Sequence, residues 1–248
     1  STLCEELGRV QRDREISPGT LPRMSSNSDP AGPLARPSPR YAALIGAVLV
    51  LLVAAGGVYF FIAGSGPLPV DSWWHAHVGA APGTALHAIA AFLAIVGGQI
   101  GALVCFVIAF GILILARRGR DALAVGFAGV LGVAGSEILK RLVQRPRPPE
   151  QFFSSHGYSY PSGHSMAAAA LAVSLALVAL GARDLDRRLS LAATVLAIAW
   201  TLAMMWSRTA LHVHWLSDTL AGAALGIGAA LIARRLCVPP KPTVSVAA

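Results

Sequence analysis

The chain has 248 residues, of which 55% are hydrophobic and 13% charged, with a mean hydropathy of +0.62. Soluble domains carry about 25% charged residues, so this composition excludes a soluble globular protein and describes a polytopic membrane protein. A formal net charge of +8 does not mark a nucleic-acid binder, because the basic residues stand at the ends of apolar segments and not along one solvated face.

Residues 1–39 mix charges of both signs with many Ser and Pro and show no helix or strand period, which reads as a disordered cytoplasmic tail. Met24 is a candidate start within it. Six apolar segments follow, near 41–64, 86–116, 121–141, 163–182, 189–206 and 214–236, each close to the ~20 residues a bilayer core requires. A lipid-exposed segment must satisfy its own backbone polar groups, so the expected fold is all-α: a six-helix transmembrane bundle over 40–237, then a short tail at 238–248. The second segment is long enough to include some interfacial helix. The three cysteines, Cys4, Cys105 and Cys237, are scattered without metal-ligand spacing.

Orientation follows from the Lys/Arg bias. Arg36 and Arg40, then Arg117, Arg118 and Arg120, then Arg183, Arg187 and Arg188, then Arg234, Arg235 and Lys241 fall on one side of the predicted bundle. That side is assigned to the cytoplasm, with both termini there, and a bacterial plasma membrane is the expected location. Trp73, Trp74, Tyr158 and Tyr160 lie in outer connections as interfacial anchors. Five further cations, Lys140, Arg141, Arg145, Arg147 and Arg208, crowd the outer helix ends. An anionic ligand is the simplest reason for cations on the side that should be poor in them.

Three stretches carry the chemistry. Lys140, Arg147 and Pro148 leave a helix that the prolines stop, presenting an ammonium and a forked guanidinium suited to phosphate oxygens. Glu137, three residues before Lys140, reads as its structural partner. Pro161-Ser162-Gly163-His164 opens the fourth span: Ser162 is a good N-cap, Gly163 permits close backbone approach, and the free amides of the helix start form an anion cradle. His164 projects from the first turn as a proton donor. In the third stretch Arg208, His214 and Asp218 occupy places where hydropathy asks for apolar residues, and an ionisable group there marks a functional site. On a helix His214 and Asp218 share a face, so the carboxylate fixes the imidazole tautomer and frees its other nitrogen to attack. His212 meets Leu216 at the same offset and lacks such a partner. Trp215 reads as a packing residue, and His75, His77 and His87 as surface or lid histidines, with no metal site.

Lys140 with Arg147-Pro148, then Pro161-Ser162-Gly163-His164, then Ser207-Arg208 with His214 and Asp218, resemble the three signature motifs of the type 2 phosphatidic acid phosphatase family, which shares its core with vanadium haloperoxidases. The resemblance spans residues 41–236 in topology. It implies a lipid phosphatase without metal or other cofactor. In it Lys140, Arg147 and Arg208 bind phosphoryl oxygens with the Ser162 hydroxyl and Gly163 amide. His214 forms a phosphohistidine with Asp218 orienting it, and His164 protonates the leaving group and then activates water. The partners expected are the bilayer and a lipid phosphate: a polyprenyl pyrophosphate such as undecaprenyl pyrophosphate, phosphatidate or phosphatidylglycerol phosphate. No nucleic acid is expected, and the oligomeric state is open. A phosphotransferase using the same phosphohistidine is the alternative. A non-catalytic lipid-phosphate transporter ranks below it, since no internal repeat is visible and the charges sit at helix ends.

Overall fold

A computed structural model describes residues 41–182 and 185–239. The tail 1–39, most of 238–248, and Arg36, Arg40, Arg183 and Lys241 from the charge reading lie outside the described residues. Among the described residues eight helices follow in chain order: α1 Ala42–Ala63, α2 Pro69–His77, α3 Ala85–Val96, α4 Gln99–Leu115, α5 Gly119–Val143, α6 Gly163–Gly181, α7 Arg187–Ala210 and α8 Leu216–Cys237. Five of them, α1, α5, α6, α7 and α8, are long and apolar enough to cross a bilayer, and the pair α3–α4, bent by 57° at its break, is so only when taken together. The chain is an integral membrane helical bundle, and large side chains such as Leu51, Phe61, Leu103, Ile108 and Leu196 stand exposed on its outside, where lipid covers them.

The expected continuous segment 86–116 is therefore two helices. The break falls at Gly97–Gly98, where a Cβ on Gly97 would lie 2.1 Å from Met204 Cε. The glycine pair lets α7 pack against the kink, and interrupting the i→i−4 ladder frees carbonyls of the last turn of α3. One of them, Ala94 O, is taken by His164 Nε2 at 3.2 Å. The first outer connection, read only as a site of tryptophan anchors, also contains a helix. Pro69 opens α2, and the Asp71 carboxylate accepts from the Leu68 amide at 3.0 Å.

α8 is the central helix, packed against α1, α5, α6 and α7. It reaches its neighbours by omitting side chains. A Cβ on Gly222 would lie 2.3 Å from the Ser162 carbonyl oxygen, and one on Gly226 2.3 Å from that of Met166. Small residues at such crossings allow backbone contact inside a membrane bundle. Val53, Phe60, Val143, Tyr160, Met166 and Leu225 fill the core between α1, α5, α6 and α8. At the end where α5 and α7 begin and α8 stops, Asp121 holds both Arg118, at 2.7 Å, and Arg234. Two of the arginines counted for orientation are thus tied into the bundle.

Candidate active site

The three motifs meet at the other end, drawn together by backbone. The Ser162 amide donates to Asp218 O at 3.0 Å, joining the starts of α6 and α8. The Ser159 amide donates to Arg145 O at 2.9 Å, and Trp215 Nε1 donates to Pro146 O at 3.1 Å. The Tyr160 hydroxyl donates to Val53 O of α1 at 2.7 Å, and burial pushes that phenol up to about 12. Ser207 Oγ donates to Ala90 O at 2.7 Å, fixing the end of α7 to α3.

Within this frame Lys140, in the last turn of α5, pairs with Glu137 Oε1 at 2.7 Å. Its ammonium lies 3.3 Å from the point where a Gly163 Cβ would stand, so the missing side chain makes room for Lys140 itself. Ser162 caps α6, its hydroxyl accepting from the amide and hydroxyl of Ser165 at 3.5 and 3.2 Å. Arg147 donates through Nε and Nη2 to the carbonyls of Gly157, His156 and Tyr158. Its Nη1 reaches Val213 O at 2.8 Å and His214 Nε2 at 3.0 Å. Arg208 is 1% exposed, and its Nε and Nη1 have no hydrogen-bond partner among the described residues.

His214 does not lie on a helix. Trp215 is the N-cap of α8, and His214 precedes it in the turn whose amide donates to Arg208 O at 3.3 Å. The chain still returns His214 Nδ1 to 3.5 Å from Asp218 Oδ2, without a hydrogen bond at Nδ1. A guanidinium only donates, so Nε2 is the accepting nitrogen of the contact with Arg147 and the ring proton belongs on Nδ1, toward Asp218. Burial first, then the charges of Arg147, Arg208 and Lys140, hold the imidazole well below its ordinary value. The result is a neutral imidazole with its Nε2 lone pair turned into a cluster of cations. Asp218 has further duties: Oδ2 accepts from the Trp215 amide at 3.0 Å and Oδ1 accepts from Arg145 Nη1 at 2.6 Å.

Two of the five outer cations do not join this cluster. Arg145 is fully buried and engaged by Asp71 and Asp218, both carboxylates themselves without exposure. Arg141 is exposed on the outer face of α5 beside Ala134 and Ile138. Asp71, Arg145 and Ser217 form a network not anticipated as part of the site, whose only sequence signal was a lone carboxylate in an apolar connection. His75 lies tilted against His212 with ring centroids 3.8 Å apart, and Phe152 stacks on the same His212 ring at 4.4 Å. Burial and then His212 hold His75 below its ordinary value. His77 bonds Trp73 O and His87 bonds Phe152 O. No group of three or more His, Cys, Asp or Glu side chains among the described residues is arranged to hold a metal ion.

Fold and site together define a polytopic helical membrane protein with a cluster of cations around one buried histidine. Residues 121–239, just under half of the chain, match the model of the PAP2 superfamily. It is 35% identical over 117 residues to phosphatidylglycerophosphatase B of Escherichia coli strain K12, covering 44% of this chain and 43% of that protein, and it matches the Shigella flexneri protein equally. The chain thus spans less than half the length of these curated relatives. In fold it is similar to a transmembrane PAP2-type phosphatidylglycerolphosphate phosphatase from Bacillus subtilis, with TM-score 0.67, 20% identity, and coverage of 79% of this chain and 96% of that one. It is also similar to Aquifex aeolicus LpxE, with TM-score 0.53, 18% identity, and coverage of 67% and 93%.

Proposed function

We propose that this protein is a metal-independent lipid phosphatase that removes a phosphate from a lipid phosphate through a phosphohistidine on His214. The observation that carries the reading is Arg208, a buried guanidinium with two unpartnered donors beside a neutral imidazole. Burying a cation without a counter-charge is costly, and a phosphoryl dianion supplies the missing acceptors. Lys140 and the Gly163 amide flank the same space, with the Ser162 hydroxyl at the helix start. Arg147 Nη1 turns from Nε2 to a phosphoryl oxygen as substrate enters.

His214 Nε2 then attacks phosphorus in line and the bond to the leaving oxygen breaks. The Nδ1 proton stays on the ring, facing Asp218, and the contact tightens from its resting 3.5 Å as the ring becomes cationic. His164 protonates the leaving oxygen and afterwards takes a proton from the water that cleaves the phosphorus–nitrogen bond. Charge stabilisation and positioning supply most of the catalysis in phosphoryl transfer, and the cation cluster offers both. Among lipid phosphates, phosphatidylglycerol phosphate is the first candidate, supported by the names of the relatives. The pocket is assigned to the extracytoplasmic leaflet of a bacterial plasma membrane, with the Asp121 end and both termini in the cytoplasm.

The test is release of inorganic phosphate by the detergent-purified protein from a panel of phosphatidylglycerol phosphate, phosphatidate and polyprenyl pyrophosphate, with and without chelator. Release is expected from at least one, unchanged by chelator, and lost in a folded His214→Ala variant. Absence of release from all of them, or wild-type release by His214→Ala, defeats the proposal.

A further inference from the structure

Beside the pocket, four side chains are committed to one another. The Arg145 guanidinium forks: Nη1 donates to Asp218 Oδ1 at 2.6 Å and to Ser217 Oγ at 2.8 Å, while Nη2 donates to Asp71 Oδ2 at 2.8 Å. Its remaining donors reach the carbonyls of Ser65 and Gly66, and its face lies 3.9 Å from the Phe60 ring centroid. Asp71, brought in by α2, also accepts from the Ser217 amide and hydroxyl at 2.8 and 2.7 Å. Burial alone would push the Asp71 carboxyl up, but the Ser217 amide and the Arg145 guanidinium outweigh it and hold the group below its ordinary value. Asp71 is therefore ionised at neutral pH.

The charge count gives this network a consequence. Arg145 with Asp218 alone would be neutral, leaving Asp218 little to offer an imidazole that turns cationic on phosphorylation. With Asp71 as a second carboxylate the network carries a net charge of about −1 by formal count, presented to His214 Nδ1 through Asp218. Around the same ring stand Lys140 from α5, Arg147, His164 from α6 and Arg208 from α7. Among the described residues Asp218 is the one anion that touches it.

We infer that Asp71 and Arg145 are positioning residues for His214: Arg145 locks the Asp218 carboxylate in place, and Asp71 balances Arg145 so that Asp218 keeps its charge for the phosphorylated imidazole. The inference rests on the phosphatase reading above. It makes α2, a short helix in a connection, part of the catalytic apparatus.

The experiment uses the full-length protein in detergent. Asp71 faces only donors, so an amide in Asp71→Asn would set N–H against N–H; Asp71→Ser, which leaves room for water, is the second neutral variant. Asp71→Glu restores the charge. The neutral variants should lose about 10- to 100-fold in kcat with KM within about twofold, as expected for partners that act through a contacting group. Inhibition by vanadate, which mimics the five-coordinate phosphorus, should weaken by a similar factor, and Asp71→Glu should recover part of the loss. Unchanged kcat in a monodisperse neutral variant, or a rise in KM alone, would reduce Asp71 to an anchor for α2 and overturn the inference. A wild-type protein that releases no phosphate defeats the phosphatase reading, and this inference with it. An active wild type with equally active Asp71 variants defeats the inference alone.

Discussion

Gly222→Ala adds one methyl group where α8 passes the start of α6, and the structure sets the size of the effect. The new Cβ would lie 2.3 Å from Ser162 O, 3.1 Å from Ser162 C and 3.2 Å from Ser165 Cβ. The obstacle is backbone, so no rotamer relieves it. Restoring a closest approach of roughly 3.0 Å requires the helices to part by roughly 0.7 Å. Overpacking of this kind costs about 1–3 kcal/mol, which a protein of ordinary stability survives. The motion pulls Ser162 and the Gly163 amide away from Asp218 and His214, and a displacement near 1 Å at a reacting centre costs about 10²-fold in rate. Phosphate release should therefore fall by about 10- to 100-fold in kcat/KM while the variant remains monodisperse in detergent. Gly226→Ala meets a similar backbone clash one turn deeper and should cost stability with a smaller loss of rate. Gly163→Ala meets the Lys140 ammonium at 3.3 Å, the far end of a flexible chain, and Ser136 Oγ at an ordinary 4.0 Å, and should cost a few-fold. Wild-type kcat/KM in Gly222→Ala, or a larger loss in Gly163→Ala, would refute the reasoning.

Arg208→Lys keeps a cation but removes the fork, and kcat/KM should drop by about 10²–10³-fold in the phosphate-release assay. Its thermal midpoint should hold or rise, because the guanidinium has two donors unpartnered in the resting protein. His214 is held below its ordinary 6.5, so above that pH it is neutral in both folded and unfolded chains and contributes no pH dependence to stability. As pH falls below 6.5 the unfolded chain takes up a proton and the folded one resists it, so stability should decline; thermal unfolding across this range should show a shallower decline in His214→Gln than in wild type. The same depression places the acid limb of kcat/KM below 6.5. Asp121→Ala leaves Arg118 and Arg234 without their carboxylate at the far end and should cost about 3–5 kcal/mol by thermal or denaturant unfolding, with KM unchanged.

The helical bundle and its apolar segments were legible because hydropathy and span length are properties of consecutive residues. The convergence of Lys140, Arg147, His164, Arg208 and His214 was legible for a related reason: all stand at or beside helix ends that the connectivity puts on one side. The break at Gly97–Gly98 was hidden because both halves are apolar and hydropathy runs through it; only the partner, Met204, shows why two glycines are needed. The position of His214 was misread for a local reason. An i,i+4 spacing to Asp218 suits a helix, but the same carboxylate caps the Trp215 amide and starts α8 only after the histidine has passed. The Asp71–Arg145 pair joins residues 74 positions apart, and nothing near either residue announces the other. Charge counting along the chain could find five outer cations but not which were already neutralised.

That distinction separates scaffold from site. Arg145 has two carboxylates, Lys140 has a partly exposed Glu137, and Arg147 has four backbone carbonyls and an imidazole nitrogen. Each holds loops and helix ends in place before any ligand arrives. Arg208 alone among the four is buried with donors unsatisfied, and it stays so because α7 is fixed on both sides, by Ser207 to α3 and by the turn amides of Val213 and His214 to its own carbonyl. In the reaction proposed above, a preorganised cation that cannot relax toward a protein partner keeps its full interaction for charge that develops at the phosphorus. Freeing Arg208 to move would thus weaken the site as surely as removing it.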